Sequence, residues 1–182
     1  MAKLKTTLTA AAIALSTTVA MATNPEVGGA AMFADKTIVE NAVNSPVHTT
    51  LVAAVQAADL VDTLNSEGPF TVFAPINEGF EELPEGTVDT LLMPENKDML
   101  TKVLTAHVVA GKLSGADIMA NIESMGGAFN METVSGDALT ARVEGGKLFI
   151  FDESGGAAEV TTADVNQSNG VIHVVDDVLL PK

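Results

Sequence analysis

Thr71-Val-Phe-Ala-Pro-Ile-Asn-Glu-Gly-Phe80 decides the architecture of this 182-residue chain. Phe70 to Ala74 is a compact β-type run, and Pro75, which has no amide hydrogen to give to a ladder, closes it. Asn77 is well placed to cap a helix whose first turn holds Glu78, Glu81 and Glu82, acids that suit the positive end of a helix dipole. A second stretch, Asn169-Gly-Val-Ile-His-Val-Val-Asp-Asp-Val-Leu-Leu-Pro181, has the same grammar: an apolar strand-like run bounded by turn signals. Neither stretch arranges a nucleophile, a base or metal ligands.

Upstream of the first stretch the pattern is helical. Ile38, Val39, Ala42 and Val43 share one face until Pro46 ends the segment. A second helix is predicted over 47–57, burying Leu51, Val52 and Val55, and Asp59 is placed as the N-cap of a short third helix with Leu60, Val61 and Leu64. Downstream, Met99, Leu100, Val103 and Leu104 recur at helical spacing, and a short helix is expected from Ser114 to Ile122. The last third changes period. Leu139–Val143 and Leu148–Phe151 flank Gly145-Gly146 as a hairpin, and 158–162, 171–175 and 178–180 add strands. Helices early and strands late, with one strand near residue 72, predict an α+β domain rather than alternating α/β.

The two quoted stretches, with Val103-Leu-Thr-Ala-His-Val-Val-Ala-Gly111 between them and Ala163-Asp-Val-Asn-Gln-Ser168 leading into the second, closely resemble the motifs of the fasciclin domain. The resemblance spans about Lys36 to Pro181. It implies a single domain with a wedge-like β-sheet arrangement and helices packed around it. It also implies an extracellular interaction or adhesion module without catalysis. The positions on the family motifs are Thr71, Pro75, Asn77, His107, Asn169, Gly170 and His173. Three departures stand out. Ile76-Asn77 replaces the usual Thr-Asp, Gly79 stands where Ala is frequent, and Ala106 replaces the aromatic residue before the motif histidine. In animal members that aromatic–histidine pair is linked to integrin binding, so its loss argues against integrin-style adhesion.

The N-terminus reads as an export signal over 1–22: basic Lys3 and Lys5, an apolar run from Leu8 to Val19, then Ala20-Met21-Ala22 as a cleavage site. That run is short for a bilayer span, which takes roughly 20 apolar residues, and no second one follows. Cleavage near Ala22 predicts a secreted or periplasmic protein. Residues 23–35, small and Gly-rich, read as a flexible leader before a fasciclin-like domain over 36–182. Removing 22 of 182 residues, among them two of the nine basic ones, leaves 160 residues with seven basic against 24 acidic, a net charge of −17. Such a surface repels phosphate backbones and the anionic face of membranes, so nucleic acid is not an expected partner. With no cysteine, thiol catalysis, thiolate metal sites and disulfides are all excluded.

His48, His107 and His173 lie far apart in sequence and show no ligand spacing; His107 and His173, each beside valines, read as hydrogen-bonded, semi-buried structural residues. Asp176-Asp177 reads as a turn, and Ser114 and Ser168 lack a recognisable base. Met93, Met99, Met119, Met125 and Met131 are the one unusual concentration. They fill the core or, on the sharper reading, line a soft apolar groove; thioether capture of copper(I) is disfavoured by their scatter. Some members of the family bind carotenoids, which makes a soluble carrier of a small hydrophobic ligand the second functional reading. Met99, Val103, Leu104, Met119 and Ile122 are its candidate lining. No metal or obligatory cofactor is expected. The expected partner is an extracellular or envelope protein or glycan, or that hydrophobic ligand.

Overall fold

The structure is a computed structural model that describes residues 24–182; the export signal expected at 1–22 lies outside the described residues. It is a single α+β domain. A short hairpin, β1 (Glu26–Val27) and β2 (Ala30–Ala31), precedes three helices, α1 (Ile38–Ala42), α2 (Thr49–Ala57) and α3 (Val61–Asn65). Then come β3 (Phe70–Pro75), α4 (Asn77–Glu81), α5 (Thr87–Leu91), α6 (Lys97–Thr105), β4 (Val108–Ala110) and α7 (Gly115–Ser124). Five strands finish the chain: β5 (Ala128–Glu132), β6 (Ala138–Glu144), β7 (Lys147–Phe151), β8 (Ala157–Gln167) and β9 (Gly170–Val175).

Seven strands form one sheet in the order β4-β3-β9-β8-β7-β6-β5. The two stretches that decide the fold are adjacent interior strands of it. β3 and β9 run parallel, Phe70 opposite Gly170 through Pro75 opposite Val175, while the other pairs are antiparallel. Both central strands are covered on two faces, which is why they read as continuous apolar runs without alternation. Val72, Ala74, Ile172 and Val174 face a core under α1–α6, whereas Phe73 and Val175 face a second core built with α7 and β5–β8. The eleven-residue β8 serves β7 and β9 together, with its register shifted between Val160 and Val165. Asp164 takes φ +59° in that shifted stretch. The sheet's two ends nearly close: Val109 bridges Thr133, and the Val134 amide donates to the Val108 carbonyl at 2.8 Å.

The Gly145-Gly146 hairpin forms as predicted, with Glu144 opposite Lys147 and both glycines at positive φ (59° and 83°). Four local expectations are corrected. Residues 23–35 are not a structureless leader: 24–35 include the hairpin, and Val27 and Met32 are buried in the first core. Two asparagine amides hold this segment. Asn24 exchanges hydrogen bonds with the Asn166 backbone (2.6 and 3.2 Å), and buried Asn41 does so with Phe33 (2.7 and 3.0 Å). Asp59 does not cap α3; it adopts φ +56° and pairs with Lys97, leaving Leu60 at the N-cap. Asn77 is the first residue of α4, whose N-cap is Ile76. Val178–Leu180 is not a strand but an irregular, largely buried tail.

Candidate functional site

The motif residues are placed by β3, β9 and the turns at their ends, and most spend their polar atoms on backbone far away in sequence. Buried Thr71 donates its hydroxyl to the Gly111 carbonyl (2.7 Å) and accepts from the Leu113 amide (2.9 Å). Pro75 is buried at the end of β3. The Asn77 carbonyl oxygen accepts from the Thr50 amide (3.1 Å) and the Thr49 hydroxyl (3.2 Å), while its NH2 donates to the Pro46 carbonyl (3.1 Å). Asn77 thus caps α2 from another element rather than its own helix. Asn169 accepts from the Ile38 amide (3.1 Å) and donates to the Leu64 (2.7 Å) and Ser66 (3.1 Å) carbonyls, tying the start of α1 and the end of α3 to the β8–β9 turn. At Gly170 a Cβ would collide with the Phe70 carbonyl, so the parallel pairing of β3 and β9 requires glycine there.

His107 and His173 are fixed in complementary tautomers. His107 Nδ1–H donates to the Val103 carbonyl (2.8 Å), and Nε2 accepts from the Leu179 amide (2.9 Å). An imidazolium has no lone pair for the Leu179 amide. Complete burial holds this ring's pKa down to about 4, against the smaller opposing pull of the Val103 carbonyl and Asp152. His173 Nε2–H donates to the Leu113 carbonyl (2.8 Å), its Nδ1 accepts from the Asp164 amide (3.4 Å), and the ring stacks on Phe73 at 5.6 Å between centroids. Burial lowers its pKa also, opposed by Leu113 and Asp164. Both rings are buried and hydrogen-bonded to backbone within the fold.

The five residues expected to line a carrier groove do not converge. Leu104 and Val103 belong to the core under α1–α6, Ile122 to the core under α7, and Met99 (60% exposed) and Met119 (37%) lie on the outside of α6 and α7. Of the five clustered methionines only Met131 is buried, so they neither fill the core together nor line one groove. The apolar cavity that does exist lies between α1–α3 and the sheet. It measures about 50 Å³, and Leu104 is the one expected lining residue on its wall. His48, Leu51, Val55, Val72 and Ile172 line it too, with Val27 and Met32 of the N-terminal segment on one side. Sequence reasoning missed it because its walls come from nine separated elements: β1, α1–α3, β3, α6, β4, β8 and β9. Among the described residues, no group of three or more His, Cys, Asp or Glu is placed to hold a metal ion. Nor is any helix there long and apolar enough to cross a membrane.

The inward-turned polar groups of the motifs act as staples of one architecture. Residues 46–181 match the model of the fasciclin domain, and the chain belongs to that family. It is 50% identical over 145 residues to protein sll1483 of Synechocystis, covering 80% of this chain and 73% of that one. To the immunogenic protein MPB70 of Mycobacterium bovis it is 37% identical, with coverage of 77% and 66%. The transforming growth factor-beta-induced protein ig-h3 of Sus scrofa is 36% identical over 131 residues, which are 72% of this chain but 17% of that protein. The fold matches a FAS1 domain pair of the insect cell adhesion molecule fasciclin I with a TM-score of 0.70 at 22% identity, over 80% of this chain and 51% of that one.

Proposed function

We propose that this chain is an exported, non-catalytic interaction module that presents its outer surface to an extracellular or envelope protein or glycan. The observation that carries the reading is the commitment of the motif side chains. A general base or nucleophile must reach a substrate, yet His107, His173, Thr71 and Asn169 are buried and bonded to backbone. Membership of the fasciclin-domain family, and the N-terminal export pattern, support the same reading. The motif histidine acts inside the fold. Ala106 and His107 are 2% and 3% exposed, so the pair is not an accessible epitope, and partner contact falls to the outer loops and helix faces. With 24 acidic against seven basic residues after export, the surface favours a partner with a cationic face, and that attraction is screened by salt.

The test is adhesion of the producing cells to a surface coated with the exported protein, beside an equally acidic globular control, over a salt series. Retention above the control that weakens with salt supports the module. Retention no better than the control, with substrate turnover that a single side-chain change abolishes without unfolding the protein, refutes it. The carotenoid-carrier reading gains nothing from the five residues named for it, because they lie on different cores and surfaces.

A further inference from the structure

Four methionines have no part in either core. Of the eight in the chain, Met1 and Met21 fall in the expected export signal, and six lie among the described residues. Met32 (7% exposed) and Met131 (4%) are packed one in each core. Met93, Met99, Met119 and Met125 are 45%, 60%, 37% and 60% exposed, and none of the four belongs to a core. Methionine is among the residues most often buried, and filling irregular gaps in a core is its usual use. Here that use accounts for two of six. The other four stand on separate elements, so what they share is a thioether held toward solvent.

A thioether sulfur attacks peroxide oxygen, which a hydrocarbon side chain does not. The chain has no cysteine, tryptophan or tyrosine to compete for an oxidant, and its three histidines are 4%, 3% and 0% exposed. The four outer sulfurs are therefore the readily oxidised groups that the described surface presents. Their settings accept the product. On α6 and α7, Leu100 and Ile118 (3% and 0% exposed) carry the packing beside Met99 and Met119. Met125 closes α7 through its backbone, the amide donating to the Asn121 carbonyl at 2.9 Å, and Met93 precedes the turn Pro94–Asn96. A sulfoxide oxygen at these places is hydrated, whereas inside a core it would be a buried acceptor with no donor. We infer that Met93, Met99, Met119 and Met125 are oxidation sites through which the exported protein reduces peroxides, each sulfur taking one oxygen while the fold stays intact. In each event a sulfur lone pair attacks one oxygen of hydrogen peroxide, the O–O bond breaks, and the leaving hydroxide takes the proton of the transferred oxygen. The sulfur is oxidised by two electrons, and the peroxide is reduced to water. This goes beyond the surface-interaction reading and needs no partner, so it stands or falls separately from it.

Hydrogen peroxide added stepwise to the purified protein, with oxygen uptake located by peptide mass, tests the assignment; Met1 and Met21 are counted apart where the signal is retained. Sulfoxides are expected at Met93, Met99, Met119 and Met125 before any at Met32 or Met131, with Met99 and Met125 filling first. The urea midpoint, followed by circular dichroism, should hold through the first four oxygens and fall once Met32 or Met131 is taken. Methionine sulfoxide reductases A and B with dithiothreitol should return the four-oxygen form to its starting mass, two thiols giving a disulfide and water for each sulfoxide. Replacing the four by leucine, a residue of similar volume, should abolish the early uptake and keep the fold. Oxidation of Met32 or Met131 in step with the four, or a midpoint that drops with the first four oxygens, would overturn the inference. Both are read on the unaltered protein, so a leucine variant that fails to fold does not protect the idea.

Discussion

Replacing Asn169 by Ala is expected to cost about 3 kcal/mol, because it removes three buried hydrogen bonds at roughly 1 kcal/mol each. The bonds are those from the Ile38 amide and to the Leu64 and Ser66 carbonyls, at 3.1, 2.7 and 3.1 Å. They join residues 131, 105 and 103 positions apart, so no local rearrangement lets one neighbour replace them. For a domain of this size the loss corresponds to roughly 6–12 °C in Tm and a large part of a total stability of about 5–15 kcal/mol. The chain has neither tryptophan nor tyrosine, so urea unfolding is followed by far-ultraviolet circular dichroism, with the denaturant slope checked for constancy. Asn169→Asp sharpens the test. It keeps an acceptor for Ile38 but turns a second oxygen on two carbonyls, which raises the folded carboxyl pKa above its unfolded value near 3.9. The folded state then holds its proton more tightly, so the deficit is smallest below about pH 4 and grows as pH rises through the shifted pKa. A loss under about 1 kcal/mol for Asn169→Ala, against roughly 3 expected, or an Asp variant that tracks Ala at every pH, would refute the stapling argument.

Two further expectations follow from the same staples. His107, with a folded pKa of about 4 against 6.5 unfolded, leaves stability complete above pH 6.5 and draws it down as the unfolded chain protonates between 6.5 and 4. At 1.36 kcal/mol per pKa unit that amounts to about 3 kcal/mol over the window, measured as the extra pH dependence of the wild-type urea midpoint relative to His107→Leu; parallel curves would remove the assignment. Gly79→Ala should lower stability by about 1–3 kcal/mol, because a Cβ there lies 2.5 Å from the Asp176 carbonyl oxygen and 3.0 Å from the Asp177 Cα, backbone atoms that cannot swing aside. Helix propensity alone predicts a gain of about 1 kcal/mol, so the sign of the measured change in a thermal or urea melt decides between the two.

How much of this was readable from residues follows from the range of the forces involved. Phe70–Pro75 and Gly170–Val175 were legible as strands because a doubly covered strand writes itself as a continuous apolar run. The Gly145-Gly146 turn was legible because its geometry asks for positive φ at two adjacent residues. The hairpin at 26–31 was not, since Val27, Met32 and two asparagines are a sparse signal until Asn166 and the cavity wall are in place around them. Asn77 shows the same limit in one side chain. Its position before an acidic turn fits a local cap, but its amide can also donate to the Pro46 carbonyl, and that option becomes visible only when β3 brings α4 against α2. The cavity was illegible for the strongest version of this reason, because no segment contains enough of its wall to show a pattern.

The distribution of polar groups links these points to function. Each motif side chain that closes a long-range hydrogen bond inside the domain removes a reactive group from the surface and fixes a turn in place. Thr71 does this for residues 111–113, Asn77 for the start of α2, Asn169 for the ends of α1 and α3, and His107 for the C-terminal tail. A frame held in this way tolerates changes in its outer loops, because their side chains contribute little to stability compared with the staples beneath. Such a scaffold can change what its surface recognises without refolding. His48 follows the same pattern at the turn before α2, where its Nδ1 meets the Ser45 hydroxyl at 2.8 Å.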